Sequence, residues 1–275
     1  METTLTTASP MAIRSAPRLL AGMGNIFTKE LKEWFRTKRF LVTTILTALM
    51  LGAAPVIVWL NKGGLHEGRL GGDGRTYLDL LDAWVGIGLT LGAYLVVVLT
   101  MNIIIKEQES GTAQWLFTKP ASRVGYVLAK WSANTIAVYI ASVLIPSIVS
   151  IGLTYYLFDV TSWKRIAIGT LLMGLVRSTI IAFIIVLSAF FGSTALIGGI
   201  CFGLNFVPFL LQPVLSDKWI GLFPIWTGSF LSDYVQGAPM SQFDRWDYEP
   251  IFVSILIIPV CLAIASWRMT RKQLQ

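Results

Sequence analysis

Charge is scarce in this chain: 13% of its 275 residues are Asp, Glu, Lys or Arg, against 55% hydrophobic, where a soluble domain carries about a quarter charged. That scarcity excludes an ordinary water-facing surface. Histidine occurs once, at His66, which rules out a His-Glu-x-x-His metal motif. The two cysteines, Cys201 and Cys261, lie inside apolar runs without Cys-x-x-Cys spacing, so neither a disulfide framework nor a zinc site is supported. Also missing are the Gly-x-x-x-x-Gly-Lys-Ser/Thr loop that cradles nucleotide phosphates and the Gly-x-Ser-x-Gly nucleophile elbow. "GGDGRT", from Gly71, reads as a turn, and Asp73, Asp79 and Asp82 lack the ligand spacing and terminal Glu of an EF-hand. The expectation is a chain that is not itself an enzyme and binds no cofactor or metal of its own.

What the sequence has instead is apolar length. Runs at about 40–60, 84–105, 131–158, 166–190, 194–215 and 250–267 reach or approach the roughly 20 residues a helix needs to cross about 30 Å of hydrocarbon. The expected fold class is an all-α polytopic membrane protein with six transmembrane helices. Residues 1–22 lack the apolar core of a signal peptide and read as a disordered cytoplasmic tail; 40–275 form the transmembrane domain. Pro146, inside the third run, supplies a cause for a kink.

Counting Lys and Arg by side orients the chain. With the N-terminus inside, the inner segments hold 14 and the outer segments 7, with Arg177 left within a span. The positive-inside bias therefore places both termini in the cytoplasm, and the net charge of +7 serves orientation rather than nucleic-acid binding. Trp59, Trp84, Trp131, Trp163 and Trp267 fall at or beside run ends, where indole rings favour the headgroup boundary.

Three polar or broken segments punctuate the oily pattern. Residues 23–39 place Phe27, Leu31, Trp34 and Phe35 on one helical face and Lys29, Lys32, Glu33 and Arg36 elsewhere, the pattern of an interfacial amphipathic helix. Between spans five and six, the apolar run from Trp219 to Leu231 is too short to cross and is broken by Pro224 and Gly228. It reads as a re-entrant or interfacial segment capping the outer end of the bundle. Between spans two and three, "KEQESGTAQWLFTKPASR" is charged yet carries the apolar triplet Trp115, Leu116 and Phe117. Ser110 or Glu109 can cap a short helix there, Gly111 allows close backbone approach, Pro120 stops the helix, and Ser122 caps the next one. Arg123 and Lys130 then face anionic lipid.

Arg177 sits near the middle of the fourth run, where an arginine costs about 2.5–3.5 kcal/mol on insertion scales, so it must face the bundle, water or a counter-charge. Two readings stand: a pathway-lining residue that meets an anionic group, or a structural ion-pair residue.

The order of these segments resembles the type-2 permease subunits of ATP-binding cassette (ABC) transporters, over nearly all the chain from Gly24 onward. The most specific part of the resemblance is the series Glu109, Gly111, Thr112, Leu116, Thr118, Lys119, Pro120, Ser122 and Arg123. It implies a cytoplasmic coupling helix between spans two and three, with Glu109, Gly111, Thr112, Trp115, Leu116, Phe117, Pro120 and Arg123 as ATPase-coupling residues. It further implies a multi-pass protein of the cell's inner membrane, partnered by a separate ABC ATPase subunit that holds ATP and Mg, and by a second permease copy or paralogue. The resemblance does not select the cargo; the expected function is export of a small or amphipathic substrate. The alternative is a subunit that relays ATPase motion to an extracytoplasmic protein without solute passage. The chain between spans four and five, at Gly192 and Ser193, is too short for a second substantial coupling helix.

Overall fold

The structure, a computed structural model, describes residues 20–61, 74–111, 122–158, 163–214, 219 and 222–271. All regular elements among them are helical. In chain order they are α1 (Met23–Arg36), α2 (Lys38–Asn61), α3 (Gly74–Thr100), the short α4 (Ile105–Glu109), α5 (Arg123–Tyr139), a π-helical turn (Ile140–Leu144) and α6 (Ile145–Phe158). There follow α7 (Trp163–Phe190), α8 (Thr194–Leu211), a 3-10 turn (Pro224–Trp226), α9 (Thr227–Gln236), a second 3-10 turn (Met240–Gln242) and α10 (Arg245–Arg271).

Six helical segments are long and apolar enough to cross a membrane: Lys38–Asn61, Leu78–Glu107, Arg123–Phe158, Trp163–Phe190, Thr194–Leu211 and Arg245–Arg271. The chain is an all-α, six-span membrane protein. Several helices outrun their apolar cores: α3 starts ten residues before Trp84, and α5 eight before Trp131. Helical hydrogen bonding continues through polar residues that hydropathy alone discards. Trp84 consequently lies inside the bundle, 2% exposed, donating its indole N–H to Ser147 Oγ at 3.2 Å rather than sitting at a headgroup boundary.

Helix α7 is central. Two-thirds of its most apolar window (67%) is buried, against 28% for α2 and for α8, and it packs on α3, α5, α8, α9 and α10. The peripheral helices present large side chains outward, including Leu41, Ile45 and Leu49 of α2, Phe206 and Leu210 of α8, and Phe252 and Leu256 of α10. In water such faces would aggregate; on a membrane span they meet lipid or another subunit. Most buried hydroxyls are satisfied locally: Thr100, Ser142, Thr154, Thr170, Ser188 and Ser254 each donate to the carbonyl four residues back, while Ser150 donates across to Leu51 O of α2 at 2.8 Å. That local bond lets a polar side chain sit where no water reaches.

The proline in the third span acts through a change of helical register. Residues Ile140–Leu144 widen into a π turn in which Ile145 N–H donates to Ile140 O, five residues back. Continuing that register, position 146 would donate to Ala141 O, but proline has no N–H. Thr47 of α2 supplies a donor to that carbonyl at 3.2 Å, sharing its one hydroxyl proton with Thr43 O. The wider turn and the neighbouring helix together accommodate the missing hydrogen bond. Beside the turn, the Tyr139 ring comes close to Gly174 of α7: a Cβ added there would meet the ring at 2.6 Å. Gly174→Ala is therefore expected to destabilise by about 1–3 kcal/mol through overpacking. Thermal unfolding in detergent checks this, and Gly174→Ala/Tyr139→Leu should regain most of the loss.

Before the last span, the chain after Leu222 enters a 3-10 turn whose first residue is Pro224. Proline here starts the turn instead of breaking a helix, since its missing N–H falls where no partner is needed. Gly228 likewise lies inside α9 rather than interrupting it. Helix α9 buries Thr227, Phe230, Leu231 and Val235 and packs among α3, α7 and α10. Phe230 stacks on Tyr234 and meets Phe243 and Tyr248 at 4.7 and 5.1 Å, Ser232 bonds Asp82 of α3, and Arg165 lies over Tyr234.

Candidate functional site at the amphipathic-helix end

Helix α1 does not simply lie on a surface. Its buried stripe is Ile26, Glu30 and Trp34, spaced four apart, with Phe27 and Leu31 partly buried beside it; Phe35, expected on the apolar face, is 48% exposed and packs on Phe40. A carboxylate at the centre of a buried stripe needs a partner, and α5 provides one. Lys130, 2% exposed, places Nζ at 3.0 Å from Glu30 Oε1, 3.1 Å from Glu107 Oε2 of α4 and 3.2 Å from Ile103 O. Three acceptors match the three protons of an ammonium group.

Glu107 ties the cluster together. Its Oε1 takes Lys29 at 3.2 Å, and its Oε2 takes the Tyr126 hydroxyl at 2.7 Å in addition to Lys130. One step along, Trp34 donates its indole N–H to Asn134 Oδ1 at 2.6 Å, and Asn134 donates back to Lys130 O at 2.7 Å. Two lysines and two glutamates balance, so the cluster adds no net charge to an interior position. Partial burial pulls the Lys29 ammonium down, but the neighbouring Glu107 carboxylate outweighs it, and its pKa is raised overall. A cavity of about 190 Å³ adjoins the cluster, lined also by Glu33, Arg39, Asn102 and Lys106.

These contacts change two expectations. Lys130 does not face lipid: it is the buried hub of α1, α4 and α5. Arg123 does not face lipid either, because its guanidinium donates to Met269 O at 2.5 Å and Thr270 O at 2.7 Å. Those carbonyls belong to the last turn of α10, which lacks intrahelical donors and favours a cation. Glu109 ends α4, and the short helix expected after Ser110 falls outside the described residues. Ser110 N–H donates to Lys106 O at 3.1 Å, and Gly111 has a left-handed backbone with φ of 69°. Among the described residues other than its chain neighbours, no atom lies within 4 Å of where a Gly111 Cβ would stand, so the left-handed backbone angle is what glycine serves there.

Ser122 caps α5 as its type predicts, accepting from Gly125 N–H at 2.8 Å, while its own N–H donates to Ala21 O at 2.9 Å. Thr112, Trp115, Leu116, Phe117 and Pro120 lie outside the described residues. Both ends of their segment are thereby fixed: Glu107 to Gly111 joins α1 and α5 through Lys130, and Ser122 with Arg123 joins the start of α1 and the end of α10.

Arg177 faces the bundle and is fully buried. Its partners are backbone carbonyls of α3: Nη1 donates to Leu89 O at 3.0 Å and Nη2 to Gly88 O. Gly92, one turn on, makes the room, since a Cβ there would collide with the guanidinium. No carboxylate pairs with it among the described residues.

The cluster's central pair was within reach of sequence reasoning. Glu30 stands four residues from both Ile26 and Trp34, and Lys130 interrupts the apolar start of the third span. Two opposite charges on otherwise apolar faces are each costly alone and compatible together.

Over residues 24–274 the chain matches the family model described as ABC-2 family transporter protein. The chain belongs to the ABC-2 transporter family. No curated protein matches it. Membership makes this six-span protein a membrane permease subunit of an ABC transporter, and the ABC-2 family match runs from the second residue of α1 past the end of α10.

Proposed function

We propose that this ABC-2 permease subunit exports a small or amphipathic substrate across the cell's inner membrane, using ATP hydrolysed with Mg by a separate ATPase subunit. Both termini and the segment from Glu109 to Arg123 face the cytoplasm, and Trp115, Leu116 and Phe117 insert into a groove on that ATPase. Two permease subunits assemble, with lipid and each other covering the apolar outer faces of the peripheral helices.

The observation that carries this reading is the fastening of both ends of the segment. Lys130 joins α4 to α1 and α5, and Arg123 joins the start of α5 to the last turn of α10. A displacement applied between Gly111 and Ser122 therefore acts on the third and sixth spans and the amphipathic helix together, because packed elements move as bodies rather than stretching. Burial of the Lys130 links to Glu30 and Glu107 keeps them less exposed to salt screening than surface pairs.

The test is Leu116→Asp, which would bury a carboxylate in the groove. The variant should insert and fold normally but lose co-purification with the partner ATPase, with binding weakened at least about a hundredfold, since each 1.4 kcal/mol is tenfold. Undiminished co-purification would overturn the docking assignment.

A further inference from the structure

A second cavity shares no lining residue with the one at the charged cluster. It holds about 180 Å³ between α7, α8, α10 and the turn from Leu222 to Ile225. Its depth follows from helix geometry. Thr179 stands 11 residues from the Phe190 end of α7, and Asn205 stands 11 residues from the Thr194 end of α8. At about 1.5 Å per residue both lie roughly 16 Å from the turn joining those helices, near the middle of a bilayer core about 30 Å thick. Ile257, on α10, stands 12 residues from Arg245 and 14 from Arg271, at the same level.

The lining is apolar except at two points. Ile180, Phe183, Phe223 and Ile257 supply hydrocarbon, and Thr179 and Asn205 supply polarity. Asn205 is 8% exposed, and one amide hydrogen is committed to Cys201 O at 2.7 Å. Its side-chain oxygen accepts no hydrogen bond from the described residues. Thr179 has given its hydroxyl proton to Leu175 O at 3.0 Å, so that hydroxyl can only accept from a guest. An unused amide oxygen at mid-membrane carries a desolvation cost that a donor would remove.

We infer that this cavity binds a neutral molecule with an apolar body of one or two fused rings and one hydroxyl or N–H donor, held by Asn205. Size follows from volume: an apolar protein cavity of about 150 Å³ accepts benzene. Neutrality follows from the lining, which offers no counter-charge at a depth where an unpaired charge is costly. The donor requirement follows from the acceptor that stands unused. A lipid acyl chain would fill the volume but leave Asn205 unmatched. As the class of exported cargo, this assignment rests on the permease function proposed above; as a binding site it stands by itself.

The probes are 2-naphthol and naphthalene, similar in body and differing in the donor, added to the full chain in lipid nanodiscs with protein-free nanodiscs as the baseline. One saturable 2-naphthol site per chain is expected. Asn205→Leu should weaken 2-naphthol about tenfold, the worth of one buried hydrogen bond, and leave naphthalene unchanged; Ile257→Phe, which narrows the cavity, should weaken both. Uptake that is unsaturable, or saturable but indifferent to Asn205→Leu, overturns the site. The cargo assignment is read separately, in the complex with the ATPase: 2-naphthol should raise ATP hydrolysis in the native complex and not in Asn205→Leu. Binding without that stimulation removes the cargo assignment, and failure to isolate any ATPase complex counts against the permease proposal while the nanodisc result stands.

Discussion

Lys130→Met is expected to lower the stability of the folded chain by about 3–5 kcal/mol, because it leaves buried carboxylates without their cation. Glu30 loses the ammonium at 3.0 Å, and Glu107 loses one of two lysines. The loss should appear as a lower unfolding temperature in detergent and as release of α1, whose Lys29, Lys32 and Arg36 would become sites for trypsin. Glu30→Met/Lys130→Met should recover much of the deficit, since removing both members of a buried pair costs far less than removing one. Lys29 and Tyr126 would still satisfy Glu107 in that double variant. An unchanged unfolding temperature and protease pattern in Lys130→Met would show the cluster to be energetically idle.

Gly92→Ala should produce the second large effect. The new methyl group enters the space of the Arg177 guanidinium and pushes it off the carbonyls of Gly88 and Leu89. In a fully buried place the displaced group finds no water, so the penalty is overpacking, about 1–3 kcal/mol, plus loss of charge-assisted hydrogen bonds at about 1.5–3 kcal/mol each. Thermal unfolding should show the drop, and Gly92→Ala/Arg177→Met should reverse much of it by replacing the guanidinium with an apolar chain. Without such recovery, the contact between Gly92 and Arg177 is not the source of the loss. The same pair separates the two sequence readings of Arg177. A structural role lowers the unfolding temperature in Arg177→Met, though less than in Gly92→Ala, whereas a pathway-lining cation loses transport in Arg177→Met with folding intact.

Much of the architecture was legible because lipid imposes a simple rule on sequence. Six apolar runs gave six spans, since a helix is the one open segment that satisfies its own backbone in hydrocarbon. Helix ends were less legible: α3 and α5 continue through polar residues before Trp84 and Trp131, where hydropathy falls but backbone hydrogen bonding persists. Pro146 announced an irregularity, yet its form, a π turn with Thr47 turned toward Ala141 O, depends on a residue about 100 positions away in sequence.

The candidate sites divide in the same way. Amphipathicity marked α1, but the periodicity of Phe27, Leu31, Trp34 and Phe35 pointed to a face rotated from the buried one, because an apolar pattern leaves Glu30 out. A charge reads as exposed until its partner is known, and Lys130 is brought to it only by packing of α5 against α1.

By itself the sequence determined that the chain lives in a membrane, how many times it crosses, and that Arg177 faces away from lipid, because each of these follows from the cost of placing a given side chain in hydrocarbon. Only the tertiary structure decided which polar groups meet: Lys130 with Glu30 and Glu107, Arg123 with the end of α10, Arg177 with the carbonyls of α3. Those choices depend on how helices rotate and cross, and rotation about a helix axis is fixed by neighbours far away in the chain.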